Sequence, residues 1–193
     1  HHHVEALVLL EEAGHGIAGH GLGQQVVHVV HGQAEVRDSP WAQVVEAVPA
    51  LLAKIGEAGL AFEGFHLFAG SQNLKAEAIV KAQQKSYELA RALAVHAPAP
   101  VRTLNLGGGF GIPYFPGEQP LDLAPIAANL VALAERAKSD FPEAELVIEL
   151  GRYLVGEAGL YVARIIDKKV SRGHIYLVTD GGLHHHLSAS GNF

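Results

Sequence analysis

The residues best suited to chemistry fall in three short stretches, each at the end of an apolar run. His66 and Phe68 precede Gly70-Ser71-Gln72. Asn105 precedes the run Gly107-Gly108-Gly109-Phe110-Gly111, and Glu149, closing Leu146-Val147-Ile148, precedes Leu150-Gly151-Arg152. The glycine run lets a backbone approach a phosphate and offer several N–H donors free of side-chain obstruction; a tight strand-to-loop turn needs the same residues. It is not a dinucleotide fingerprint, because Ile112 stands where a further glycine would be needed, and no Gly-Lys-Ser/Thr follows to make a P-loop. Arg152 carries a fork suited to phosphate or carboxylate, or it pairs at the surface with an acid such as Glu157. Glu149 has apolar neighbours, where an isolated charge is costly, so its partner is either Arg152 or a ring nitrogen that becomes protonated. His66 and Phe68 are two apart and point to one side of a strand; the histidine reads as a site residue or as a satisfied core residue.

Three strands must position these groups. Phe62–Phe68, Val101–Leu106 and Leu146–Leu150 read as short apolar strands, separated by helical patterns at Leu74–His96 and Leu121–Lys138. A further helix is expected at Gln43–Glu57, or from Pro49 onward, since proline is tolerated in a first turn. The strands recur about forty residues apart, the signature of right-handed βα units on a parallel sheet. In such folds function gathers at the carboxyl ends of the strands, so all three stretches should open onto one mouth. Leu160–Val170 and Ile175–Thr179, joined through Ser171-Arg172-Gly173, depart from that pattern and read as the start of a β-domain.

The chain has 193 residues, 49% of them apolar, with Lys+Arg 14 against Asp+Glu 20. Wholesale disorder is excluded by that apolar fraction. A net charge of −6 without a basic run argues against a nucleic-acid surface, and no stretch reads as a membrane span. Having no cysteine, the chain can form no disulfide, thiolate zinc site or cysteine nucleophile. It also has no methionine, and it opens His1-His2-His3, so it reads as a segment of a longer protein or as a reading frame with a damaged start. Seven of the thirteen histidines lie in residues 1–31, a flexible or out-of-frame segment or a histidine-rich metal tract. Within it, Val4–Glu12 has a helical pattern and Val26–Val30 a strand pattern.

The three stretches resemble the motifs of the fold-type III pyridoxal-phosphate decarboxylases, which act on ornithine, diaminopimelate and arginine. Glu63 through Leu74 is similar to the family's strand-to-loop motif, Leu104 through Tyr114 to its glycine motif, and Glu149-Leu150-Gly151-Arg152 to its Glu-Pro-Gly-Arg motif, with Leu150 for the proline. Thr179-Asp180-Gly181-Gly182 and the following His184-His185-His186, through Phe193, look most like the branch associated with exosortase-type polysaccharide export. The resemblance covers residues from about Gln43 to Phe193. It implies an α/β fold, the later part of an alanine-racemase-like (β/α)8 TIM barrel over 43–157, with the start of a C-terminal β-domain at 158–193. Residues 1–42 match nothing in the family, and a frameshift upstream of about Gln43 accounts for that.

Carried over residue by residue, the resemblance implies that Gly108, Gly109 and Gly111 hold the phosphate of pyridoxal 5′-phosphate through backbone N–H groups, with Ser71. Gly151-Arg152 would contact the phosphate or the substrate carboxylate, and Glu149 the pyridine nitrogen, where a carboxylate keeps the ring protonated and electron-poor. Phe68 stands where many members place a histidine against the ring, and His66 lies two residues earlier. The family's Schiff-base lysine lies upstream of everything matched, and none of Lys54, Lys75, Lys81, Lys85, Lys138, Lys168 or Lys169 fits its motif. No catalytic residue is therefore expected within this chain. The cytoplasm is the default location, and the resemblance further implies that the parent protein is a homodimer acting on an amino acid or diamino acid. Two other readings compete: a metal-binding module built on the histidine clusters, and a sugar-phosphate isomerase or aldolase on another parallel barrel.

Overall fold

The computed structural model describes residues 8–12, 25–31, 40–182 and 185, with side chains from residue 46 onward. It divides into two compact units, the first ending at Leu154 and the second beginning at Val155. In the first unit, five strands form one sheet in sequence order: β1 Val8–Glu12, β2 Gln25–His31, β3 Ala61–Leu67, β4 Thr103–Asn105 and β5 Glu145–Val147. From β2 to β5 every pairing is parallel, and helices α1 Pro40–Glu57, α2 Ala76–Ala94 and α3 Ala124–Asp140 provide the crossovers. This is the βα alternation expected of part of a (β/α)8 barrel.

β1 departs from expectation. Of the helical pattern expected over Val4–Glu12, the described part, Val8–Glu12, instead forms an antiparallel ladder with β2, Val8 opposite Val29 and Glu12 opposite Gln25. A strand partner satisfies the backbone of a five-residue segment that is too short to be stable as a helix. The strand expected at Val26–Val30 is present as β2. α1 runs from Pro40 through Pro49 rather than starting at it. Val48, Leu52 and Ile55 are buried against the core on either side of the missing N–H, and that packing holds the helix across the proline. β5 is shorter than the apolar run suggests: Leu150 is followed by a five-residue helix, α4 Gly151–Val155.

The helices cover one face of the sheet. Phe62, Phe65 and Leu67 of β3 and Leu104 of β4 pack against Val48, Leu52 and Ile55 of α1, Tyr87, Ala90 and Leu93 of α2, and Leu133 and Ala137 of α3. Phe62 and Phe65 meet edge to face at 5.3 Å, a geometry favoured by the ring quadrupoles. Leu104 is fully buried, and its truncation to alanine is expected to cost roughly 2–5 kcal/mol. β3, β4 and β5 are thereby fixed side by side, with Phe65 opposite Leu104 and Leu104 opposite Leu146.

The second unit contains an antiparallel hairpin, β6 Ile165–Ser171 and β7 His174–Thr179. Its turn is Arg172-Gly173, both with positive φ (51° and 81°), as a two-residue hairpin turn matched to strand twist requires. The ladder is extended by Asp180, whose Oδ1 accepts from the Arg164 N–H at 2.8 Å. Ile165, Ile166, Val170, Ile175, Tyr176, Leu177 and Val178 are all half exposed or more. The carboxyl-terminal His184, His186 and the run to Phe193, on which the likeness to one branch rests, lie outside the described residues.

Between α2 and α3, buried Tyr87 donates its hydroxyl to Asp140 Oδ2 at 2.9 Å, and the Arg136 guanidinium lies 4.7 Å from its ring centre. Burial, and then the bond to the Asp140 carboxylate, push the phenol up to about 12. The unfolded chain releases this proton near pH 10. Tyr87 therefore contributes stability that is fully present below about pH 10 and is lost as pH rises toward about 12. In a phenolate absorbance titration, one of the five tyrosines is expected to ionise late. Tyr87→Phe should remove that late step and lower stability at neutral pH by about 1 kcal/mol; an unchanged titration would refute the assignment.

Candidate active site

At the carboxyl ends of β3, β4 and β5 the backbone of the glycine run is wedged between its neighbours. A Cβ on Gly108 would sit 1.6 Å from the Glu149 carbonyl oxygen, and one on Gly109 1.9 Å from that of Gly70. Only glycine permits this approach. The loops are then laced together by their main chains. Glu149 N–H donates to the Gly107 carbonyl at 2.9 Å, Asn73 N–H to that of Gly109 at 2.9 Å, and Gly111 N–H to that of Asn73 at 2.9 Å. Both readings of the glycine run thus have a physical basis. The Cβ positions of Gly108 and Gly109 are taken by backbone, while their N–H groups make no hydrogen bond among the described residues.

Glu149 is held at this mouth. Asn105 Nδ2 donates to its Oε1 at 2.9 Å, and Asn105 Oδ1 accepts from the Gly107 N–H at 2.8 Å. His66 Nε2 stands 3.2 Å from Glu149 Oε2, yet at an angle that makes no hydrogen bond. It is the one buried side-chain polar atom without a hydrogen-bond partner among the described residues. His66 and Asn105 are register partners on β3 and β4. The histidine is thus neither a satisfied core residue nor remote from the carboxylate.

A second group surrounds Arg152, whose Nη1 donates to Gln72 Oε1 at 2.8 Å and whose guanidinium carbon lies 5.5 Å from the Tyr114 ring centre. Gln72 adopts a left-handed φ of 53°, which is costly for a residue with a side chain. Its amide offsets that cost by clasping Ile112, donating to the carbonyl at 2.5 Å and accepting from the N–H at 3.4 Å. Phe110 and Tyr153 meet edge to face at 6.0 Å, which ties α4 to the glycine loop.

The remaining expected site residues are distributed around this centre. Ser71, Gly108 and Gly109 line one cleft of about 170 Å³, together with Asn73, Ile79 and Gln83. Phe68 is 39% exposed, and its Cα lies 3.2 Å from where a Gly107 Cβ would be. Gly111 is packed against Asn73, and Gly151 opens α4 with open space at its Cβ position. Sequence reasoning gave no role to Asn105, Gln72 or Tyr114. Their position beside Gly70-Ser71 and the glycine run puts Gln72 and Asn105 at the strand ends, and Tyr114 is marked only by closing the glycine motif. The lysines lie on α1, α2, α3 and β6, with Lys75 at the amino-terminal cap of α2. Among the described residues no group of three or more His, Cys, Asp or Glu is placed to hold a metal ion. Side chains of the histidines in residues 1–31 lie outside that description.

Residues 36–156 match the pyridoxal-binding domain of the pyridoxal-dependent decarboxylases. The chain belongs to this family. It is 35% identical over 130 residues to the L-glutamyl-[BtrI acyl-carrier protein] decarboxylase of Niallia circulans, covering 67% of this chain and 30% of that protein. It is 34% identical over 120 residues to a diaminopimelate decarboxylase of Thermoplasma acidophilum, covering 61% and 29%. The chain thus spans about 30% of the length of the curated relatives it matches. Its fold is similar to that of a diaminopimelate decarboxylase from Helicobacter pylori (TM-score 0.54, 20% identity, 81% of this chain and 41% of that one). A lysine/ornithine decarboxylase from Vibrio vulnificus is also similar in fold (TM-score 0.51, 24% identity, 75% and 39%). No described helix is long and apolar enough to cross a membrane.

The family's cofactor is pyridoxal 5′-phosphate, and the residues present fit it. A fixed carboxylate suits a protonated ring nitrogen, two N–H groups with no partner among the described residues and a serine hydroxyl suit a phosphate, and His66 Nε2, without a hydrogen bond among those residues, lies 3.2 Å from the carboxylate. The close approach of the loops is testable without any ligand. Gly108→Ala forces its new methyl into the Glu149 carbonyl and should cost roughly 1–3 kcal/mol or more. Gly151→Ala meets open space and should stay within about 0.5 kcal/mol. Urea unfolding followed by circular dichroism compares the two, and equal costs would contradict the packing.

Proposed function

We propose that this chain is the cofactor-holding part of a pyridoxal-phosphate-dependent decarboxylase of an amino acid or diamino acid. The observation that supports this best is the Glu149 carboxylate, gripped by Asn105 next to the N–H groups of Gly108 and Gly109, which have no partner among the described residues. When bound, pyridoxal phosphate supplies an electron sink for the pair left at Cα as carbon dioxide departs. The chain's own residues bind and orient. Glu149 holds a proton on the ring nitrogen; Gly108 and Gly109 take the phosphate with Ser71; Gly111, expected to join them, instead commits its N–H to the Asn73 carbonyl and fixes the loop; Phe68 packs on the ring. Arg152, steadied by Gln72, takes the phosphate or a substrate carboxylate, and Gly151 opens the short helix α4 just before it. His66 stays against Glu149 rather than on the ring.

The lysine that anchors the cofactor is not among those of this chain under this reading, and a homodimer in the cytoplasm is the parent form. The domain division goes with it: a barrel portion over 43–157 and a β-domain beginning at 158.

Equilibrium dialysis of the whole chain against pyridoxal 5′-phosphate tests the site. Saturable binding is expected, weakened about tenfold or more by Glu149→Gln and by Arg152→Ala, since each removes a charge-assisted contact. Borohydride treatment followed by mass spectrometry should trap no specific lysine adduct. An adduct at Lys75 or any other single lysine would overturn the account of the missing base, and no binding would overturn the cofactor site.

A further inference from the structure

The geometry points to Asn105 as the positioning residue for Glu149, and this inference rests on the cofactor reading above. Asn105 lies at the end of β4 and is only 9% exposed. Its amide could in principle be turned either way round, because oxygen and nitrogen fill nearly the same shape and only their hydrogen-bond partners tell them apart. Here the chemistry of the neighbours decides. The Gly107 N–H can only donate, so the atom 2.8 Å from it must be Oδ1. Nδ2 must then face Glu149 Oε1, 2.9 Å away, and a carboxylate there can only accept. One end of the amide is locked by the first residue of the glycine run and the other is committed to the carboxylate.

The need for such a lock follows from the exposure of Glu149. Its side chain is 50% accessible, and it sits past the end of β5, where the bond from its N–H to the Gly107 carbonyl fixes the main chain but not the carboxylate. A glutamate in that state samples several rotamers, and ordering it on ligand binding costs entropy. The bond from Asn105 removes part of that cost beforehand, and His66 Nε2, 3.2 Å from Oε2, bounds the carboxylate on its other oxygen. Asparagine suits this position better than aspartate. It accepts from Gly107 as aspartate would, but it presents a donor, not a second negative charge, to Glu149.

The glycine run and the carboxylate are coupled by the same amide. The Gly107 N–H reaches Asn105 Oδ1, while the Gly107 carbonyl accepts from the Glu149 N–H. A shift of the glycine loop therefore moves the carboxylate, and a phosphate at the loop and a nitrogen at the carboxylate report to each other through Asn105.

The test compares pyridoxal 5′-phosphate with its analogue in which the ring nitrogen is replaced by carbon, measured by dialysis against the whole chain. Asn105→Asp should weaken the first about tenfold and leave the second within about twofold. It should add nothing further when Glu149→Gln is already present. Equal losses for both ligands, or losses that add in the double variant, would assign Asn105 a merely structural role and overturn the proposal. A readout without ligand separates this from the cofactor reading. In nitrogen-15 NMR of the free chain, the Asn105 side-chain amide resonances should move on Glu149→Gln. If they do not move, the positioning role fails even where the cofactor binds. If they move but neither ligand binds, the amide lock stands and its role toward the cofactor is overturned together with the cofactor reading.

Discussion

The site depends on backbone touching backbone. Between the loop after β3 and the segment after β5, the glycine run occupies a gap with no room for a single methyl group at Gly108 or Gly109. This contact sets how far apart the strand ends stand, and so where every side chain at the mouth must reach. Glycine here gives up entropy in the unfolded chain. What it gains is a set of main-chain bonds, from Asn73 to Gly109, Gly111 to Asn73 and Glu149 to Gly107, that no side chain could make at such range. Since the sheet below is packed on one face by α1, α2 and α3, the loops ride on a rigid base, the condition under which loop residues can hold a fixed geometry.

Two neutral amides then fix the charges. Gln72 gives an oxygen to Arg152 while its own backbone is held in a left-handed turn by Ile112. Asn105 gives a proton to Glu149 while Gly107 anchors its oxygen. An amide orients a charged group without supplying a counter-charge, so these bonds steer the guanidinium and the carboxylate without neutralising them. Each amide also lies on a different strand end from the charge it serves, so the geometry of one loop is imposed on another.

Much of this was legible in the sequence, for a definite reason. β3, α2, β4 and α3 are marked by apolar periodicity and by punctuation such as Pro98 and Pro100, signals that local chemistry writes into neighbouring residues. The convergence of His66, Asn105 and Glu149 follows from strand ends in a parallel sheet. What could not be read depends on partners distant in the chain. β1 resembles a helix until β2 is beside it, and Pro49 reads as a start until Leu52 and Ile55 are seen buried. Glu149 with Asn105, and Arg152 with Gln72, are separated by 44 and 80 residues, and no periodicity links such pairs.

The second unit shows the opposite balance. Its hairpin has a well-formed turn and ladder, yet its apolar side chains stay half exposed or more along both strands. A two-stranded ribbon by itself is marginal in water, because each strand can bury its apolar side chains only against another layer. The first unit has that second layer in α1, α2 and α3, and its Leu104 and Phe65 reach near-complete burial. The apolar residues of β6 and β7 therefore record a packing demand that the hairpin's own pairing does not meet. The same demand in β3 and β4 is met by helices contributed from the intervening sequence.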